Sequence, residues 1–294
     1  MSPTLSALAE IRVNRLLEQL SSEESQCGAI AFLRDVKSIL QDGPQCGLVA
    51  LQMAATSFGL PSVDVQHIHR LAKERGFTNR GEMFSVDWLC ELALLIWPTL
   101  RGTVEHMPTP ERLTALLREQ CAILVPYDCD KNNEPIIRDG NTAHWCIVVS
   151  SYHYVLLSFD SFLLIFFPSY RGDLCWNRSN KLCGCLQQLI IQMRKDFDSK
   201  LLLLLRELVG YLCPDQNQSQ VIWSMQEPIS YDNMHVFCLH GKSRHLALWK
   251  YTNLVESNAN LNEIGDRRMT DGEMYVLPAD GVAALKYKCL ILHL

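Results

Sequence analysis

The stretch QDGPQCGLVAL, residues 41–51, decides how the rest of the chain is read. It joins a turn, Gln41-Asp42-Gly43-Pro44-Gln45, to Cys46 and a run from Leu48 to Phe58 that is apolar on nearly every face. A helix of that kind belongs in the middle of a protein. A thiol at its N-terminus meets unpaired N–H groups and the positive end of the macrodipole, both of which favour the thiolate. Gly43 and Gly47, lacking a Cβ, allow close approach. The Gln41 amide, five residues upstream, can donate to the oxyanion of a tetrahedral intermediate. The stretch therefore predicts Cys46 as a nucleophile of lowered pKa, held rigid by a buried helix.

On the N-terminal side, Leu5, Leu8, Ile11, Leu16 and Leu20 fit an amphipathic helix, and residues 30–40 carry apolar positions at three-to-four spacing that predict a second. Downstream, helices are expected at 48–58, 64–75, 85–96 and 110–120, the last opened by Thr109 as cap and Pro110 at its first position. The period then changes, and short strands are expected at 121–126, 145–150, 234–239, 246–251, 274–277 and 290–294. Helices first and strands later describe a segregated α+β domain rather than an alternating one. The expected organisation is an N-terminal helical extension over 1–40 and one domain over 41–294, helical to about 120 and strand-rich from about 121.

A thiol nucleophile needs a base delivered through the fold. His144 is the candidate, because it follows the loop 139–143 and opens a strand beside Trp145. His67 and His69 lie on an expected helix, His106 in a loop, and His235, His240 and His245 flank later strands. A third residue could orient the imidazole. Asp160 stands in an apolar run between Phe159 and Phe162, where a lone carboxylate is costly unless paired. Ser243 and Asn258 are weaker candidates, and a dyad without a third side chain stays open.

Composition narrows the classes. A net charge of -5 without a basic stripe argues against nucleic acid. Glu10 and Arg12 interrupt any apolar leader, so the expectation is a cytoplasmic protein whose twelve cysteines stay reduced. The run 154–167 is short and interrupted for a membrane span. No CxxC pair occurs, and Cys183 and Cys185 are too tightly spaced for an ordinary zinc site. Neither a metal nor an organic cofactor is expected.

Seven blocks in order carry a family likeness: QDGPQCGLVAL at 41–51, RGFTNRGEMFS at 75–85, LVPYDCDKNNEP at 124–135, GNTAHWCIVV at 140–149, GKSRHLALW at 241–249, ESNANL at 256–261 and TDGEMYVLP at 270–278. On these blocks the chain resembles the actin maturation protease family, within the C39-like, papain-like cysteine peptidases. The resemblance implies a papain-like fold, with Cys46 as nucleophile, His144 as base and Gln41 as oxyanion donor. It implies removal, in the cytosol, of the acetylated N-terminal residue (Met or Cys) of immature actin, free or profilin-bound. The proline-rich segment of some relatives is not seen here, so polyproline docking to a profilin-like partner has no support. The likeness does not extend through about 152–222, which reads either as an atypical insertion or as a retained intron. Other readings of the same constellation are a peptidase or deubiquitinase with another substrate, and an inactive papain-like binding module.

Overall fold

The computed structural model describes residues 9, 11–12, 25–30, 34–157 and 234–294. Of the expected N-terminal helix at Leu5 to Leu20, only Ala9, Ile11 and Arg12 fall among them, and these are helical. Most of the insertion, Asp160 with it, lies outside the described residues.

The helix α1 (Cys46–Ser57) forms where the apolar run predicted it, and every residue from Cys46 to Ala55 is buried. Around it stand α2 (Val65–Glu74), capped by the Asp64 carboxylate, and α3 (Val86–Ile96), capped by the Ser85 hydroxyl. Helix α4 (Pro110–Arg118) starts as expected, with Thr109 accepting from the Arg112 N–H and Pro110 in the first turn.

The strands β1 (Ser25–Ile30), β2 (Arg101–His106), β3 (Ala122–Asp128), β4 (Ala143–Leu157), β5 (Met234–His240), β6 (Ser243–Lys250) and β7 (Lys288–His293) form one antiparallel sheet. The order is β2-β7-β3-β4-β5-β6, with β1 on the later part of β4. Period-two alternation along β4 sorts its side chains between two cores. Trp145, Ile147 and Val149 pack with the α1–α3 layer. Cys146 and Val148 pack with α4 and with α5 (Tyr251–Ala259) on the other face. The fold is α+β, as the pattern of elements predicted.

Two expected elements are corrected. Residues 34–40 are not helical. The Arg34 N–H donates to the Val149 carbonyl at 2.8 Å, and Arg34 and Val36 are buried while Asp35 and Lys37 are exposed. Backbone bonding to the long strand β4 outweighed the helix-like spacing, a tertiary contact overriding a local propensity. The expected strand at 274–277 is also absent. Met274 is 79% exposed, and the segment crosses to the helical layer, where Asn79 donates to the Met274 carbonyl and Tyr275 packs edge-on against Phe84. The sequence reading passed over β2, a short alternating strand, and α5, which begins where a strand was expected to end.

Candidate active site

A cleft of about 410 Å³ is lined by Gln41, Gly43, Pro44 and Cys46, and by His144, Lys242, Arg268 and Tyr275 among others. Cys46 is the first residue of α1, after Gln45 as cap, and no side chain caps the helix. The first intrahelical bond runs from the Val49 N–H to the Gln45 carbonyl, so helix geometry leaves the N–H groups of Cys46, Gly47 and Leu48 without an intrahelical acceptor. Gly43 adopts φ +71°, a left-handed turn that suits glycine. Gly47 serves a different need. A Cβ there would sit 2.9 Å from Met83 Cβ and 3.2 Å from Trp145 Nε1, so its absence lets the helix start lie against the strand. The Trp145 indole donates to the Met83 carbonyl at 2.9 Å, and its backbone N–H lies close enough to the Cys46 sulfur to favour the thiolate slightly.

His144 is only 2% exposed. Its ring stands edge-on to Tyr127 and to His240, with centroids 5.7 Å apart in each case, and its Nε2 is buried without a hydrogen-bond partner. Asp128, the last residue of β3, shapes the loop that delivers it. The Asp128 carboxylate, fully buried, accepts from the Gly140 N–H at 3.0 Å, the Thr142 N–H at 2.8 Å and the Thr142 hydroxyl at 2.5 Å. Ser257 on α5 brackets the same residue, accepting from its N–H and donating to its carbonyl, each at 2.9 Å. Gly140 at φ +92° completes the turn.

Electrostatics here depart from expectation. Burial pushes the Cys46 thiol above its ordinary value, against the opposing pull of Arg268, Lys242 and the Trp145 N–H. Burial, then Lys242, His240 and Arg268, hold His144 well below the usual imidazole range. The expectation of a low-pKa thiol is corrected: desolvation of the charged form outweighs the helix terminus. Both shifts favour the uncharged forms, an arrangement in which a thiol can pass its proton to an imidazole.

Gln41 lines the cleft as well. Its Nε2 donates to the Gly43 carbonyl at 2.7 Å, which occupies one of its two amide hydrogens. Of the weaker third-residue candidates, Asn258 is a brace, donating to the carbonyls of Pro126, Lys288 and Leu285, and the Ser243 hydroxyl accepts from the His245 N–H. Neither was seen to contact His144. Among the described residues no cluster of three or more His, Cys, Asp or Glu side chains has metal-site geometry, and no helix is long and apolar enough to cross a membrane. The sequence reading missed Asp128, Lys242 and Arg268. Asp128 and Lys242 stood inside blocks already singled out, but nothing local marked them.

The sequence model described as "Actin maturation protease-like, C-terminal domain" matches residues 36–152. The chain is similar to the "Actin maturation protease" of Mus musculus, 32% identical over 262 residues, which cover 87% of this chain and 61% of the relative. The human protein of that name is 33% identical over 260 residues, covering 87% and 63%. That of Danio rerio is 31% identical over 270 residues, covering 90% and 74%. The chain thus spans about three-fifths of the length of the mouse and human relatives it matches. No solved structure matches it.

Proposed function

The chain belongs to the actin maturation protease family, and from that membership we propose that it is a cysteine peptidase that trims the N-terminus of immature actin. The observation that carries this reading is that Cys46, at a helix N-terminus, and His144, at the start of a strand, line one cleft. A buried helix carrying the thiol and an antiparallel strand carrying the imidazole support a papain-like arrangement.

In the proposed reaction the acetylated first residue, Met or Cys, lies across the cleft. Cys46 Sγ attacks its carbonyl carbon while His144 takes the thiol proton. The oxyanion is received by the Cys46 N–H, which the first turn of α1 leaves unpaired, and by the second amide hydrogen of Gln41. His144 then protonates the leaving amine, and water, activated by the same imidazole, hydrolyses the thioester. No residue is required to hold a metal. Asp160 retains its proposed part as orienting residue, in a protein proposed to act in the cytosol on free or profilin-bound actin.

The test is incubation with immature actin and with acetylated and free N-terminal peptides, read by mass of the N-terminal fragment. Cys46→Ala should abolish trimming while the circular dichroism spectrum is kept. Trimming by that variant, or a clear preference for a free amino terminus, contradicts the proposal.

A further inference from the structure

Two cations stand in the cleft beside the reacting pair. Lys242, in the turn between β5 and β6, donates Nζ to the Cys129 sulfur at 3.3 Å. Arg268, on the short helix α6 (Asp266–Thr270), donates Nη2 to the Ala143 carbonyl at 3.5 Å and lies over the Phe84 ring, 5.4 Å from its centroid. Its Nη1 is buried with no hydrogen-bond partner. A guanidinium has five donors in a planar fork, and a buried donor left unmade is costly.

The acids of the cleft are occupied elsewhere. Glu82 accepts from the Thr78 hydroxyl at 3.4 Å, and Asp271 accepts from the Tyr275 hydroxyl. Arg80 pairs with Glu273 at 3.4 Å. Among the described residues the ion pairs involve Arg75, Arg80, Arg112 and Lys288, and neither Lys242 nor Arg268. Lys242 and Arg268 thus line the cleft as two cations outside any of these ion pairs, available to an anionic group that enters it.

We propose that Arg268, with Lys242 beside it, is a carboxylate-binding subsite that selects an acidic side chain on the residue following the scissile bond. The direction rests on the peptidase reading. Arg268 is tied to Ala143, which adjoins His144, the group that serves the leaving amine, so the fork lies on the leaving-group side. A carboxylate there would take the idle Nη1 donor and could be held bidentately. Phe84 beneath the guanidinium fixes the plane of the fork.

A chain-terminal carboxylate has the same chemistry, so the experiment separates the two, and it uses binding rather than turnover. Full-length protein carrying Cys46→Ser is titrated, by fluorescence anisotropy, with acetylated and amidated peptides bearing Asp or Asn at the second position, and with a neutral acetylated dipeptide ending in a free carboxylate. The Asp peptide is expected to bind roughly tenfold or more tightly than the Asn peptide, the margin shrinking at high salt. Arg268→Gln should bring the ratio close to one, while Arg268→Lys, which keeps the charge, should retain part of it. Equal binding of the Asp and Asn peptides, or a ratio that Arg268→Gln leaves intact, overturns the subsite. Discrimination confined to the dipeptide overturns the assignment to an acidic side chain. Failure of the peptidase reading appears separately, as absence of trimming by the unsubstituted protein.

Discussion

One part of the cleft wall, Gln41, Gly43 and Cys46, follows a single turn into the start of a single helix, where Gly47 comes next. The second part of the wall gathers His144, Lys242, Arg268 and Tyr275 from β4, the β5–β6 turn, α6 and the segment after it. The first is held mainly by what lies directly behind it, a helix buried all round, with one long-range bond from the Gln41 N–H to the Gly241 carbonyl at 2.8 Å. The second is held by groups distant in sequence, with the Asp128 carboxylate gripping the loop before His144 and Ser257 and Asn258 on α5 bracing the strand ends. The thiol is thus placed largely by its neighbours in the chain, whereas the imidazole depends on a network spanning most of the domain.

That contrast can be broken most forcefully at Asp128. Asp128→Ala leaves the Gly140 N–H buried without its acceptor and frees both Thr142 donors, and is expected to cost about 3 kcal/mol. A urea melt measures the loss, and trimming should fall with it even where the variant is folded, because the loop carrying His144 is released. An unchanged urea midpoint would mean that the second wall does not depend on this carboxylate.

A smaller loss is expected on the first wall. Gly47→Ala forces a Cβ to within 2.9 Å of Met83 Cβ, so the helix start and the segment before α3 must shift apart, at about 1–3 kcal/mol. Thermal unfolding should show the loss, and iodoacetamide labelling should show faster modification of Cys46 as the contact with Trp145 loosens. Retention of wild-type stability would mean that this wall is more plastic than its packing implies.

The mildest effect comes from pH. Burial lowers His240 to about 4 and holds His144 below its ordinary 6.5. The unfolded chain therefore binds more protons than the folded one below about pH 6.5, and stability falls as pH falls through that window toward 4. Urea midpoints taken across it should decline on acidification, and His240→Gln should flatten the slope without removing it. A midpoint that stays level from pH 7 to 4.5 would show that neither imidazole is held neutral by the fold.

The stretch around Cys46 and most elements were legible because their signals are local. Apolar run, glycine turn, Thr109 cap and period change each sit within a few residues of what they specify. The extended course of 34–40 was hidden because its helix-like spacing competes with a backbone bond to Val149 that no sequence window contains. The resting state of Cys46 was misjudged for a related reason: the helix terminus is visible in the sequence, but the depth of burial that outweighs it is not.

The sequence by itself determined the α+β order of elements, the rigid helix behind Cys46, the turn that presents it and the family to which the chain belongs. Only the tertiary structure decided that Asp128 holds the loop before His144, that Lys242 and Arg268 share a cleft with the thiol, and that burial shifts both thiol and imidazole toward their uncharged forms. Helix and turn formation depend on interactions among near neighbours. Charge placement and desolvation depend on which distant side chains displace water from the same small volume, and that volume exists only once the sheet has closed against the helices.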